Sequence, residues 1–160
     1  MSSLIRISLG KQRLQLLGDG RVLMDVAVST AANGPGEEGG SGCTPRGWHV
    51  VRAKIGTGCA ENTVFRARRP TGEIYTDELA SAEPERDWIL TRILWLSGLE
   101  PGRNRLGTVD TMRRYIYIHG TPDQEPMGVA RSHGCVRMRN RDIIRLFELV
   151  EAGTRVLLEE

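Results

Sequence analysis

The chain has 160 residues, enough for one domain with a substantial hydrophobic core, and we expect a single domain over residues 1–160. Its 22 Lys and Arg residues nearly balance 20 Asp and Glu residues, and no basic run alternates with aromatic residues, so nothing indicates a nucleic-acid partner. Only 5% of the residues are aromatic and 19 are glycines, which favours short strands and tight turns over a helical bundle.

The first third of the chain reads as strands. Residues 4–9, 13–18 and 22–28 alternate apolar and polar side chains, which predicts three strands with a tight turn at 18–20. The first ten residues lack the basic segment and long apolar run of a signal peptide, and no apolar stretch is long enough to span a membrane. We therefore expect a cytoplasmic protein without a membrane partner. The alternative is a periplasmic or cell-wall protein whose signal peptide has been removed.

A glycine-rich loop at residues 33–42 precedes a strand predicted at 48–53. Such a loop is either a lid or substrate rim, or a simple connector. The three cysteines are an odd number, so a disulfide scaffold is not implied. We expect Cys43 and Cys59 to be free thiols, with a disulfide between them as the alternative. No Cys-x-x-Cys or His-x-x-x-His spacing supports a zinc site.

The second half of the chain predicts two further strands, a helix and a last strand. Residues 89–96 are apolar on both faces, and their β-branched residues and tryptophans favour a strand over a helix. Residues 114–118 predict a strand that leads to a histidine and places two tyrosines on one face. Asn140 is predicted to cap a helix that runs to about Glu151, stops near Gly153 and precedes a strand at 154–158. The predicted fold class is mostly β with one clear helix.

The segment 119–135 carries the candidate chemistry, because it contains two of the three histidines and one cysteine. A thiol is a poor nucleophile at neutral pH, and a nearby imidazole can accept its proton. Gly120 and Gly134 allow bare backbone amides to approach a ligand, as the oxyanion of an acyl-transfer reaction requires. The residues alone do not decide whether His119 or His133 is the base, since His133 and Cys135 would share a face of an extended segment.

This segment resembles the catalytic core of the YkuD family, the L,D-transpeptidases of bacterial peptidoglycan. The resemblance rests on Ile118-His119-Gly120-Thr121 and on Ser132-His133-Gly134-Cys135-Val136-Arg137. Two weaker matches extend it towards both ends of the chain, Thr44-Pro45-Arg46-Gly47-Trp48-His49-Val50 and Asn140-Arg141-Asp142-Ile143. It implies the family's mixed β-sheet or sandwich, with one clear helix after the cysteine motif.

The resemblance also implies roles for particular residues. Cys135 would be the nucleophile, His119 the general base oriented by the carbonyl of Gly120, and His133 a supporting residue. The backbone amides near Gly134 and Cys135 would stabilise the oxyanion. The candidate residues for binding substrate are Arg137, Ser132, Tyr117 and Thr121. Arg137 would hold a substrate carboxylate or, equally, a structural ion pair, and packing is the alternative role for Tyr117.

The activity implied by the resemblance is acyl transfer on peptidoglycan stem peptides or muropeptides. The thiol would attack the L,D-peptide bond before the terminal D-alanine and form a thioester. We favour its resolution by water, as in an L,D-carboxypeptidase of murein recycling. The alternatives are an exported transpeptidase that forms 3–3 crosslinks or exchanges D-amino acids, and a peptidoglycan-binding module without activity. No metal or organic cofactor is implied, and carbapenem-type β-lactams are expected inhibitors.

Overall fold

The computed structural model describes residues 3–160, so Met1 and Ser2, which begin the segment searched for a signal peptide, lie outside it. The described chain is mostly β, as predicted. Its strands are β1 Ser3–Ser8, β2 Arg13–Gly18, β3 Arg21–Ala27, β4 Gly47–Ile55, β5 Thr63–Arg66, β6 Arg69–Ile74, β7 Ile89–Gly98, β8 Tyr117–Thr121, β9 Val136–Arg139 and β10 Arg155–Glu159. The helices are α1 Asp77–Ala82 and α2 Asn140–Leu149, with a 3₁₀ turn at Gly107–Val109.

All ten strands belong to one mixed sheet. The main path runs β3-β2-β1-β10-β4-β7-β5-β6, and β8 branches from β7 to pair with β9. Two pairs are parallel, β1 with β10 and β8 with β9, and the other pairs are antiparallel. Because β7 pairs with β4, β5 and β8, this ten-residue strand connects the N-terminal half of the sheet to the strand that carries His119.

The main core lies between the N-terminal strands, the β8–β9 pair and helix α2. Its fully buried members include Ile5 and Leu16 on one side, and Ile118 and Met138 on the other. Helix α2 closes this core with the side chains of Ile143, Leu146 and Phe147, and Val150 adds to it directly after the helix. Burying one such side chain contributes about 1.5–3 kcal/mol. The core thereby fixes β8 and β9, which flank the candidate site.

The strands predicted from alternating hydrophobicity, together with the turn at 18–20, are confirmed to within two residues at each end. The preference for a strand at 89–96 is also confirmed. The strand predicted at 114–118 is wrong at its start, since residues 111–115 form a turn and β8 begins at Tyr117. Tyr115 has a φ of 56° in that turn and is half exposed, whereas Tyr117 is buried, so the two tyrosines do not share a strand face.

The predicted cap of helix α2 is wrong as well. Arg139 occupies the N-cap position without a side-chain hydrogen bond, and Asn140 is the first helical residue. The side chain of Asn140 is fully buried and bonds to residues from other segments, so it is not available to the helix end. The helix ends at Leu149, before the predicted Glu151, because Val150 has an extended backbone.

Three elements were not predicted, namely the β5–β6 hairpin, strand β9 and helix α1. Helix α1 has a recognisable start, since Thr76 accepts a hydrogen bond from the N–H of Leu79 at 3.1 Å and acidic residues fill the first turn. Within residues 3–160, no helix is both long and apolar enough to cross a membrane.

Candidate active site

A cavity of about 460 Å³ brings the predicted catalytic residues together. Its wall is formed by β8, by the loop before β9, by residues 114–116 and by the tip of the β5–β6 hairpin. Of the predicted site residues, it is lined by His119, Cys135, His133, Ser132, Tyr117 and Arg137. The volume lies within the range of pockets that bind small ligands.

His119 is buried on β8, and a backbone contact determines which of its ring nitrogens carries the proton. Its Nδ1 lies 2.6 Å from the carbonyl oxygen of Gly120. Because a carbonyl only accepts hydrogen bonds, Nδ1 carries the proton, and in the neutral ring Nε2 is left as an acceptor. Burial lowers the pKa of His119, and the hydrogen bond to Gly120 opposes this only in part. The neutral imidazole is therefore the resting form, and it can accept a proton.

Cys135 lies just before β9, and its sulfur contacts the backbone on both sides of Ile116. The N–H of Tyr117 donates to Sγ at 3.3 Å, and the thiol donates to the carbonyl of Tyr115 at 3.4 Å. Burial disfavours the thiolate and raises the pKa of Cys135 to about 12, while the N–H of Tyr117 acts in the opposite direction. The resting sulfur is a thiol, so a base has to remove its proton during the reaction.

The loop 132–135 is tied together by Ser132. This buried side chain accepts from the N–H of Gly134 at 3.2 Å and donates to the carbonyl of Cys135 at 2.5 Å. The Gly134 amide is therefore directed into its own loop in this structure, and its role as an oxyanion donor stays a prediction. Both hydrogen bonds of Ser132 serve the loop, so its position fits support of Cys135 better than contact with substrate.

Gly134 has a φ of 131°, and a β-carbon there would lie 3.2 Å from the carbonyl oxygen of Cys43. This backbone conformation favours glycine, and a β-carbon would also require Cys43 to shift by a few tenths of an ångström. Because residues 133–135 form bends and not a strand, the argument that His133 and Cys135 share a strand face does not apply.

Arg137 and His133 converge on Asp87, which the sequence analysis did not single out. The guanidinium of Arg137 lies 3.2 Å from one carboxylate oxygen of Asp87, and Nδ1 of His133 lies 3.7 Å from the other. The Arg137 side chain is 11% exposed and that of His133 is 76% exposed. Arg137 was predicted either to bind a substrate carboxylate or to form a structural ion pair. The structure contains an ion pair with Asp87, whose side chain is partly exposed. His133 lies at the rim of the cavity.

The two remaining substrate-binding candidates separate. Tyr117 lines the cavity, and its hydroxyl accepts a hydrogen bond from Arg68 at 3.1 Å. Thr121 is buried at the end of β8 and does not line the cavity. Its backbone pairs with Arg139 in the β8–β9 ladder. The contact of Thr121 with substrate stays a prediction that this cavity does not support.

A buried polar network lies behind Gly120. Thr91 donates to the side-chain oxygen of Asn140 at 2.6 Å, and Asn140 donates to Asn62 at 3.0 Å. Thr91 has a φ of 76°, a strained value for a β-branched residue, at a bulge in β7. A β-carbon on Gly120 would meet the side-chain oxygen of Asn140 and would lie 2.6 Å from the carbonyl oxygen of Leu90. The network thus packs directly against the residue whose carbonyl holds His119.

The glycine-rich loop supports the cavity through Arg114. This side chain lines the cavity and donates to the carbonyl of Cys43 at 2.6 Å and to that of Glu37 at 3.1 Å. No residue of 33–42 lines the cavity. The loop therefore supports the cavity wall through the carbonyls that bind Arg114. Cys43 and Cys59 are both free thiols.

Comparison with known proteins places these features in a family. The model of the L,D-transpeptidase catalytic domain, YkuD, matches residues 2–158. The probable L,D-transpeptidase YbiS of Escherichia coli K12 is 56% identical over 43 residues, which are 27% of this chain and 14% of that protein. The putative L,D-transpeptidase YqjB of Bacillus subtilis is 44% identical over 47 residues, which are 29% of this chain and 27% of that protein. These matches span well under a third of either relative.

The solved structures show that the fold is shared over almost the whole chain. L,D-transpeptidase 3 from Mycobacterium tuberculosis, solved in complex with a faropenem-derived adduct, superposes with a TM-score of 0.61 at 16% sequence identity. The superposition covers 99% of this chain and 60% of that one.

Proposed function

We propose that this chain, which belongs to the YkuD family of L,D-transpeptidase catalytic domains, cleaves the L,D-peptide bond before the terminal D-alanine of peptidoglycan tetrapeptides. One observation carries the proposal. The thiol of Cys135 and a buried, neutral His119 with Nε2 unprotonated line the same cavity. A nucleophile and a base in one cavity are the minimum that covalent acyl transfer requires.

The proposed reaction has two halves. Sγ of Cys135 attacks the carbonyl carbon of the third stem residue as Nε2 of His119 takes the thiol proton. The carbon–nitrogen bond to D-alanine then breaks, and the imidazolium returns the proton to the leaving amine, which leaves a thioester on Cys135. In the second half, His119 removes a proton from the acyl acceptor, which attacks the thioester and releases the thiol. Proton transfer of this kind contributes about 10²–10⁴ in rate.

We favour water as the acyl acceptor, which makes the protein an L,D-carboxypeptidase. A cavity of about 460 Å³ is near the lower end of the range for ligand pockets and suits one peptide better than two. Water needs no second peptide site. An enzyme of this kind would trim soluble muropeptides in the cytoplasm during murein recycling. The second candidate is an exported transpeptidase that forms 3–3 crosslinks or exchanges D-amino acids, and it is favoured by the names of the relatives.

The experiment that tests the proposal is mass spectrometry of a reaction between purified protein and a disaccharide tetrapeptide, with and without an excess of a D-amino acid. A tripeptide product in both reactions supports the carboxypeptidase. An exchanged tetrapeptide or a crosslinked dimer as the main product replaces it with the transpeptidase. If no D-alanine is released and no tetrapeptide is consumed under any condition, both the carboxypeptidase and the transpeptidase are overturned.

The matched variants are Cys135→Ala and Cys59→Ala. We expect Cys135→Ala to lose turnover completely while its thermal unfolding stays close to that of the wild type, because only the nucleophile is removed. Cys59 is a free thiol that does not line the cavity, so Cys59→Ala should keep its activity. Turnover by Cys135→Ala would exclude the proposed mechanism.

A further inference from the structure

The tip of the β5–β6 hairpin has an unusual backbone for its sequence. Arg66 pairs with Arg69, so the hairpin reverses through the two residues Ala67 and Arg68. Their φ values are 49° and 66°, the left-handed values of a type I′ turn. Such turns favour Asn and Gly, and a side chain with a β-carbon costs on the order of 1 kcal/mol there. A strained turn at a cavity wall suggests that the side chain it presents has a role.

The side chain that this turn presents is Arg68, and it is held by three aromatic residues. Its guanidinium carbon lies 4.8 Å from the ring centroid of Trp95 and 4.8 Å from that of Tyr115. One guanidinium N–H donates to the hydroxyl of Tyr117 at 3.1 Å. Stacking on an aromatic face fixes the plane of a guanidinium while its edge stays free to donate. The contacts thus place a preorganised cation at the cavity.

Three arginines line the cavity, and their partners differ. Arg137 is paired with the carboxylate of Asp87. Arg114 donates to the backbone carbonyl of Glu37 in the glycine-rich loop and to that of Cys43 directly after the loop. Arg68 has a hydrogen bond to a neutral phenol, and among residues 3–160 no carboxylate lies within 4.0 Å of it. A guanidinium has five N–H donors, so Arg68 keeps the capacity for a bidentate contact with an anion.

Tyr117 connects this cation to the nucleophile. Its backbone N–H donates to Sγ of Cys135, and its hydroxyl accepts from Arg68. The thiol and the guanidinium therefore lie one tyrosine side chain apart on the same cavity wall. A peptide whose carbonyl reaches Sγ would have its neighbouring groups within reach of Arg68.

We propose that Arg68 binds a carboxylate of the peptide substrate and thereby selects among stem peptides. The inference rests on the proposed function and deepens it. Two carboxylates of a tetrapeptide have the required chemistry. One is the C-terminal carboxylate of D-alanine, and the other is the side-chain carboxylate of a third residue of the diaminopimelate type, which lysine lacks.

The test compares Arg68→Gln and Arg68→Lys with two matched controls, Arg66→Gln and Arg69→Gln. Both control residues are exposed arginines of the same hairpin that do not line the cavity. Three tetrapeptides are used, with diaminopimelate at the third position, with lysine there, and with diaminopimelate and a C-terminal amide. Each protein is assayed for KM and kcat, and its fold is checked by thermal unfolding.

We expect Arg68→Gln to raise KM for the diaminopimelate peptide by about 10- to 100-fold, the range of a hydrogen bond to a charged group. Arg68→Lys should lose less, and both controls should stay within about twofold of the wild type. If the effect disappears with the lysine peptide, Arg68 binds the side-chain carboxylate. If it disappears with the amide, Arg68 binds the terminal carboxylate. An equal loss with all three peptides, or no loss, overturns the proposal.

A second measurement separates this proposal from the proposed function. Binding of the same three peptides to Cys135→Ala protein, with and without Arg68→Gln, is measured by calorimetry and needs no turnover. A carboxylate-dependent affinity that Arg68→Gln removes supports Arg68 even if no peptide is cleaved. Binding that is absent, or insensitive to Arg68, overturns the inference whether or not the enzyme is active. If Arg68→Gln does not fold, the three peptides are compared with wild-type and Arg68→Lys proteins.

Discussion

Cys135 and His119 rest in their uncharged forms. Burial raises the pKa of the Cys135 thiol to about 12 and lowers the pKa of His119. Both shifts disfavour a thiolate–imidazolium pair before substrate binds. The thiol proton is directed at the carbonyl of Tyr115. Activation of the nucleophile is therefore expected to coincide with attack on the substrate.

We predict that Cys135 alkylates slowly at neutral pH. In protein carrying Cys43→Ser and Cys59→Ser, the rate with iodoacetamide should rise about tenfold per pH unit between pH 7 and 10, because it follows the small thiolate fraction. The rate is measured by intact-mass spectrometry of quenched samples. A fast rate that is constant around pH 7 would mean that a thiolate exists at rest, and would contradict the neutral pair.

A carbapenem provides the contrasting probe for the same protein. Its strained carbonyl enters the reaction as a substrate carbonyl does, so His119 can take the proton in the attacking step. We expect acylation of Cys135 at pH 7, seen as the added mass of the whole inhibitor, and its loss in His119→Ala. Equal acylation of wild-type and His119→Ala proteins would remove His119 from the role of base.

Strand β8 holds His119 in place because β7 and α2 are in close contact with this strand at Gly120. The bulge in β7 at Thr91 and the first residue of α2, Asn140, meet behind Gly120. Their side chains are fully buried and hydrogen-bonded to each other. Two buried side chains that are hydrogen-bonded to each other can adopt only one relative position without losing that bond. The pair therefore fixes the position of Gly120 and of its carbonyl.

Gly120→Ala should therefore damage both stability and activity. The new methyl group would overlap the side-chain oxygen of Asn140 and the carbonyl oxygen of Leu90, and overpacking of this kind costs about 1–3 kcal/mol. Urea denaturation measures the loss of stability, and D-alanine release measures the loss of activity. Gly10→Ala is the control, since its β-carbon would make an ordinary 3.5 Å contact, and it should change stability by less than about 0.5 kcal/mol. A Gly120→Ala protein as stable as Gly10→Ala would refute the packing argument.

The alternation of apolar and polar residues predicted those strands in which buried and exposed side chains alternate. Strand β1 follows this pattern, with Ile5 and Ile7 buried and Arg6 exposed between them. The β5–β6 hairpin escaped prediction because β6 is almost wholly exposed and its turn, Ala67–Arg68, lacks the usual turn residues. Asn140 was misread as a helix cap because its partners, Thr91 and Asn62, come from distant segments.

The same distinction applies to the site. Cys135 and His119 belong to compact motifs, so the sequence alone identified them as candidates. Asp87 and Arg68 line the cavity only because β7 pairs with both β5 and β8, which brings residues from far upstream of the motifs to the strand that carries His119. No local signal marks either residue. Thr121 is the opposite case, since it belongs to the first motif but is buried and does not line the cavity.

At the scale of the molecule, a buried histidine outside the site connects the sheet to the cavity wall. His49 on β4 donates through Nδ1 to the carbonyl of Gly47 at 3.0 Å, and its Nε2 lies 2.8 Å from the hydroxyl of Thr111. Thr111 is the first residue of the turn at 111–115. This turn leads to Tyr115 and Tyr117, the two residues whose backbones form hydrogen bonds with Sγ of Cys135. Burial lowers the pKa of His49 to about 4. The folded protein therefore requires His49 to be neutral.

This requirement predicts a loss of stability in mild acid. The unfolded chain binds a proton at His49 near pH 6.5, whereas the folded protein does so only near pH 4. Because the unfolded state binds more protons in this interval, the free energy of unfolding falls as the pH falls. The contribution of His49 between pH 6.5 and 5 is about 2 kcal/mol, above the range in which the carboxylates titrate. Urea denaturation at pH 7, 6 and 5 measures it.

His49→Gln and His133→Gln separate this effect from the titration of the other groups. Glutamine can keep one donor and one acceptor at position 49 but does not titrate, so the loss of stability between pH 6.5 and 5 should shrink by about 2 kcal/mol. The His133 side chain is 76% exposed, and His133→Gln is the exposed histidine replacement with which the His49→Gln protein is compared. If His49→Gln retains the full pH dependence of the wild type, the acid sensitivity arises elsewhere, with the buried His119 as the next group to replace.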